Sequence, residues 1–161
     1  MNATLRPILA AEDEETDRLI LSLAFEQAKL SHPLVTVRDG KECVDYLSGA
    51  AAFADRVTHP LPALLLLDLK MPRMDGFEVL AWLATQPHFK NLPICVLSSS
   101  SDDSDVQKAR QLGAWDYFIK PHALPNLIKI LHRLQTLCLS ADKSNAAGGL
   151  PSRDHPLDLF G

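Results

Sequence analysis

Apolar positions along the chain fall into short blocks separated by longer, mixed stretches. Ile8 to Ala11 and the β-branched Leu34 to Val37 read as strands. Ala63 to Leu69, bounded by Pro62 and Pro72, is apolar apart from Asp68 and holds four consecutive leucines, Leu64 to Leu67. So short and apolar a run suits a strand covered on both faces, as in a parallel sheet. Ile94 to Leu97 and Tyr117 to Ile119 complete the predicted strands. Between them lie helical spacings. Thr16 to Lys29 places Leu19, Ile20, Leu23 and Ala28 on one side, leaving Leu21 and Phe25 off that stripe. Gly40 and Lys41 open a second helix carrying Val44 and Leu47, and Asp75 with Glu78 form a capping box for a third over Gly76 to Thr85. Ser104 and Gln107 suit the start of a fourth, stopped after Leu112 by Gly113. Pro125 suits the first turn of a last helix ending near Leu139.

Strand and helix thus alternate five times, which implies an α/β fold with a parallel sheet and right-handed crossovers that place helices on both faces. The pattern leaves strand order open. Residues 5–139 form the expected domain. From Ser140 to Gly161 the chain is rich in Gly, Pro, Ser, Asp and Ala and is expected to be a flexible tail.

Composition narrows the class. A chain of 161 residues, 47% hydrophobic and 22% charged, has the length of one domain and can bury a core without metal or disulfide staples. A net charge of −4 gives no basic footprint for nucleic acid. No apolar run reaches membrane-spanning length, and Met1 to Pro7 lacks the features of a secretory signal, so a cytoplasmic protein is expected. Cys43, Cys95 and Cys138 are odd in number and far apart, which suits reduced, buried thiols. The six histidines show no ligand spacing and are expected at the surface or in loops.

In open parallel sheets the working site lies beyond the carboxyl ends of the strands. Glu12 and Asp13 stand there after the first strand, Asp68 after the third, Ser98 after the fourth and Lys120 after the fifth. Taken singly most have ordinary readings. The acidic pair would favour a helix N-terminus. Ser98 opens a serine run, and Lys120 before Pro121 suits a solvated loop. Asp68 differs, because a carboxylate ending four leucines is costly without partners.

Together these residues resemble the response-regulator receiver domain of two-component signalling. The resemblance rests on Ile8-Leu-Ala-Ala-Glu-Asp13, on Leu65-Leu-Leu-Asp-Leu-Lys-Met-Pro-Arg-Met-Asp-Gly76, on Pro93-Ile-Cys-Val-Leu-Ser98 and on Gly113-Ala-Trp-Asp-Tyr-Phe-Ile-Lys-Pro121. It implies a doubly wound, flavodoxin-like sheet of order 2-1-3-4-5. By the same resemblance Asp68 is the phosphoacceptor. Glu12, Asp13 and Asp68, with the main-chain carbonyl of Lys70, hold Mg²⁺. Ser98 and Tyr117 are the switch pair, and Lys120 is the lysine that meets the phosphoryl group. The side chain of Lys70 is expected to tune the phosphoryl lifetime.

The implied function is a single-domain response regulator, not an enzyme in the usual sense. It would take a phosphoryl group from a histidine kinase and signal through protein contacts, or relay the group to a histidine phosphotransfer protein. The long connection Ser48 to Pro62 and the serine-rich Leu97 to Asp103 resemble stand-alone receivers associated with bacterial phytochrome kinases. Leu127, Ile128, Ile130, Leu131, Leu134, Leu137 and Leu139 make the last helix apolar beyond one stripe, so the fourth helix, fifth strand and fifth helix are expected to form a homodimer face. Leu21 and Phe25 are expected to dock the kinase. Two rivals are a phosphate-independent scaffold and an aspartate-nucleophile phosphatase. The second needs an aspartate two residues after the nucleophile, where Lys70 stands.

Overall fold

Five strands, β1 (Ile8–Ala11), β2 (Leu34–Val37), β3 (Leu64–Leu67), β4 (Ile94–Ser98) and β5 (Asp116–Ile119), pair in parallel in the order β2-β1-β3-β4-β5. The structure, a computed structural model, describes residues 5–147 and the side chains of that range through residue 138. The helices are α1 (Glu15–Ala28), α2 (Gly40–Ser48), α3 (Gly76–Ala84), α4 (Asp103–Gln111) and α5 (Leu124–Ala147).

Period-two alternation sends Leu9, Ala11, Leu65, Leu67 and Val96 into a core shared with α2, α3 and α4. Ile8, Ala10, Leu64, Leu66 and Cys95 face a second core closed by α1 and α5. Both faces are dry, so β1, β3 and β4 show no polar alternation. Register then determines what meets at the sheet's edge. Ala11 pairs with Leu67, so Glu12 and Asp68 leave adjacent strands at the same level. Ser98 pairs with Ile119, and Lys120 follows directly, its amide donating to the Ser98 carbonyl at 2.8 Å.

Helix α1 is rotated from its expected phase. Leu21, Ala24, Phe25 and Ala28 are buried, whereas Leu19, Ile20 and Leu23 are exposed, so Leu21 and Phe25 are core residues and not a docking surface. Both sets have helical spacing. The packed set includes two alanines, which carry little hydrophobic weight in a sequence but allow a close approach to α5. Helix α4 begins at Asp103 with Asp102 in the N-cap position, two residues before the expected cap Ser104, and no side chain caps it. Asp75 caps α3 as expected, accepting from the Glu78 amide at 2.9 Å. Helix α5 runs to Ala147, past the expected end at Leu139 and into the segment read as a tail. Residues 148–161 lie outside the described residues. Leu127, Ile130, Leu131 and Leu134 are buried within the subunit, while Ile128 and Leu137 are half-buried.

The long connection after α2 is built. Arg56 donates to the carbonyls of Tyr46 and Leu47, both at 2.7 Å, and so satisfies the C-terminal end of α2. Tyr46 donates to the Pro60 carbonyl at 2.8 Å and packs against Phe53 and His59. His32 lies in a loop, as expected of the histidines, but is buried there, with Nδ1 against the Arg6 carbonyl at 2.8 Å. The three cysteines are buried and none forms a disulfide.

Candidate functional site

The β1–β3 register brings Glu12 and Asp68 side by side, and the turn into α1 adds Asp13. One carboxylate oxygen from each of these three lies within 4.8 Å of the others. The guanidinium of Arg18 braces this turn, donating to the Glu12 and Asp13 carbonyls at 2.8 Å each. On the β3 side, the Asp68 carboxylate accepts from the Leu69 amide at 2.7 Å. Gly76 permits this arrangement, because a Cβ there would collide with the Asp68 carbonyl.

Lys120 crosses from β5 into the acidic group. Its ammonium lies 2.7 Å from Glu12 Oε2, 3.0 Å from Asp68 Oδ2 and 2.9 Å from Asp17 Oδ2. An ammonium has three protons, so these contacts use its whole donor set. One cation does not neutralise four carboxylates. Burial, assisted by the charge of Asp68, pushes the Glu12 carboxyl up to about 7 despite the bond from Lys120. Lys120 is raised, because its bonds to Glu12 and Asp17 and the charges around it outweigh its partial burial. The surplus of negative charge, in a donor set of carboxylates alone, suits a small hard cation such as Mg²⁺.

Asp13, Asp17, Asp68, Lys70, Ser98 and Lys120 line one open cleft of about 290 Å³. The sequence-selected residues Glu12, Asp13, Asp68, Lys70, Ser98 and Lys120 therefore converge. Tyr117 sits behind them, buried, with its hydroxyl donating to the Ser100 carbonyl at 2.8 Å. Ser98 Oγ accepts from the Ser100 amide at 3.2 Å. The side chain of Ser100 in turn donates to Asp105 Oδ2 at 2.6 Å, tying the β4–α4 loop to the first turn of α4.

Three participants escaped the reading of the sequence. Asp17 lies four residues after Asp13, a spacing that helical geometry could have flagged. Ser100 stands within a serine run that carries no local signal. Arg73, at φ +63° in the loop after Asp68, forms an ion pair with the buried Asp39 at 2.7 Å and so fastens that loop to the start of α2.

Comparison with known proteins agrees with this geometry. Residues 8–132 match the response regulator receiver domain family. Response regulator Rcp1 from Synechocystis is 30% identical over 132 residues, 82% of this chain and 88% of its own. Its Mn²⁺-bound form has a TM-score of 0.71, with 30% identity over 81% of this chain and 92% of its own. Response regulator RPA3017, in red light signalling of R. palustris, superposes with a TM-score of 0.76 and 36% identity, covering 81% of this chain and 91% of its own. The phosphorylated cyanobacterial phytochrome response regulator RcpA gives a TM-score of 0.75 and 33% identity over 84% of this chain and 95% of its own. The strand order, the acidic cluster at the sheet edge and this match over most of the sequence lead to one conclusion: the chain belongs to the response regulator receiver domain family.

Proposed function

We propose that Asp68 accepts a phosphoryl group from a histidine kinase and that the resulting change in the β4–α4 and β5 region is read by protein partners. The observation that carries this reading is a buried aspartate at a strand end with a lysine ammonium 3.0 Å away and two further carboxylates beside it. A carboxylate oxygen of Asp68 attacks phosphorus, the bond from phosphorus to the donor imidazole nitrogen breaks, and the electron pair leaves with the imidazole. Lys120 meets a phosphoryl oxygen as a point charge. Ser98 donates its hydroxyl proton to another.

Glu12, Asp13, Asp68 and the Lys70 carbonyl would hold Mg²⁺, whose charge offsets the repulsion between carboxylate and phosphoryl oxygens. The Mn²⁺-bound Rcp1 structure supports a divalent site here, and the phosphorylated RcpA structure supports phosphoryl acceptance. The chemistry is the protein's own phosphorylation and dephosphorylation, with no separate substrate turned over.

Similarity to phytochrome regulators favours a phytochrome-type kinase as donor. The exposed Leu19, Ile20 and Leu23 on α1, the helix that also carries the cleft residue Asp17, offer its docking surface in place of Leu21 and Phe25. A histidine phosphotransfer protein would approach the same face. A homodimer through α4, β5 and α5 would use the half-buried Ile128 and Leu137. Nucleic acid and membrane have no role in this reading. Among the described residues no helix is long and apolar enough to cross a membrane.

Acetyl phosphate with Mg²⁺ provides the test. Intact-mass measurement should show one added phosphoryl group, lost in Asp68→Asn and absent with excess chelator. Unlabelled wild-type protein, or a labelled Asp68→Asn variant, would overturn the proposal.

A further inference from the structure

Lys120 has no proton to spare. Glu12, Asp17 and Asp68 take one donor each, at 2.7, 2.9 and 3.0 Å. An anion arriving at Asp68 can be met by Lys120 only if one of these carboxylates lets go. They are not equivalent. The side chains of Glu12 and Asp68 are 7% exposed and belong to the cluster that suits a cation. The side chain of Asp17 is 38% exposed, stands on α1 at the rim of the cleft and lies outside that cluster. A carboxylate at the rim recovers water when released, whereas a buried one does not. Asp17 is therefore the partner that yields most cheaply.

From this we infer that Asp17 is a positioning residue that holds Lys120 in the resting site and competes with the incoming phosphoryl group for it. The inference rests on the reading of Asp68 as phosphoacceptor and adds a fourth carboxylate with its own task. Asp17 keeps the ammonium over Asp68 while the site is empty of anion, then withdraws. Its strength sets how readily the phosphoryl state forms.

The test is calorimetric titration of the folded, full-length chain with beryllofluoride at saturating Mg²⁺, and separately with Mg²⁺ alone. Glu14→Gln is the control, because Glu14 also lines the cleft but its side chain makes no bond to Lys120. Both substitutions remove one negative charge from the rim. Asp17→Asn should tighten beryllofluoride binding about threefold more than Glu14→Gln, the size of a partly exposed ion pair. Mg²⁺ affinity should change equally in the two. Asp17→Glu, which retains a carboxylate, should stay near wild type. Equal beryllofluoride affinity in Asp17→Asn and Glu14→Gln would overturn the inference, as would a parallel loss of Mg²⁺ affinity confined to Asp17→Asn. Wild-type protein that binds no beryllofluoride with Mg²⁺ would instead remove the phosphoacceptor reading, and this inference with it.

Discussion

Tyr117 places its hydroxyl 2.8 Å from the main-chain oxygen of Ser100 and donates to it from a ring that is 1% exposed. Tyr117 therefore lies inside, packed behind the cleft. Ser100 links three side chains, its amide, carbonyl and hydroxyl bonding Ser98, Tyr117 and Asp105 respectively. Removing the phenolic hydroxyl leaves a buried carbonyl without that donor. Tyr117→Phe should lower stability by about 1–3 kcal/mol. Thermal melts of the two proteins check this, and an unchanged midpoint would count against the bond.

The acidic cluster should make the metal-free protein less stable as pH rises. Glu12 titrates near 7 in the folded chain against 4.5 as its ordinary value, so between those pH values the folded state holds a proton that the unfolded state has released. Stability from this group is then full below about 4.5 and is lost as pH climbs through 7. Glu12→Gln should flatten the decline and raise the metal-free melting temperature at pH 8, while weakening Mg²⁺ binding. Melts from pH 5 to 8, with and without MgCl₂, separate the two effects.

Arg73 combines a favourable pair with an unfavourable backbone. Its φ of +63° lies in the left-handed region, while its guanidinium holds Asp39 at 2.7 Å and keeps that carboxyl below its usual range alongside the Glu42 amide. Arg73→Ala loses the pair and keeps the strain, whereas Arg73→Gly loses the pair and relieves it. Glycine should therefore be the more stable of the two by about 1 kcal/mol. Denaturant unfolding of both variants measures the difference, and equal midpoints would contradict it.

Gly76 bears on the reactive centre directly. The added Cβ of Gly76→Ala would meet the backbone of Asp68 and Leu69, which cannot swing aside as a side chain does. The variant should be destabilised by about 1–3 kcal/mol and should accept a phosphoryl group more slowly from acetyl phosphate. A variant as stable and as reactive as wild type would show that the β3–α3 loop is looser than its packing implies.

Buried thiols lead to a simple chemical check. Cys43 and Cys95 are fully buried, and burial pushes Cys43 up to about 12 and Cys95 well above its ordinary value. With Cys138 also buried, the native protein should resist a thiol-specific reagent that modifies all three after denaturation.

Strand positions were legible because each strand is a short apolar block and its boundaries are polar or Pro-bounded. Ile8–Ala11 and Leu34–Val37 fall where the pattern put them. The placement of Glu12, Asp13, Asp68, Ser98 and Lys120 at one edge of the sheet was legible because each residue directly follows, or ends, such a block. Strand order came from the motif and not from the pattern, and the pairing agrees with it. Helix phase was harder. On α1 the expected set Leu19, Ile20, Leu23, Ala28 and the packed set Leu21, Ala24, Phe25, Ala28 share only Ala28, and a period alone does not say which face meets the sheet.

By itself, then, the order of residues determined a parallel α/β sheet and the group of charged and hydroxyl side chains at its carboxyl edge, because both follow from local spacing along single elements. Tertiary structure alone decided that Asp17 shares Lys120, that Arg73 reaches Asp39, that Tyr117 lies inside against Ser100 and that α1 shows Leu19, Ile20 and Leu23 to solvent. The pairings join side chains up to 103 positions apart. Their partners are chosen by strand register and helix rotation, which act through space and leave no mark on the neighbouring sequence.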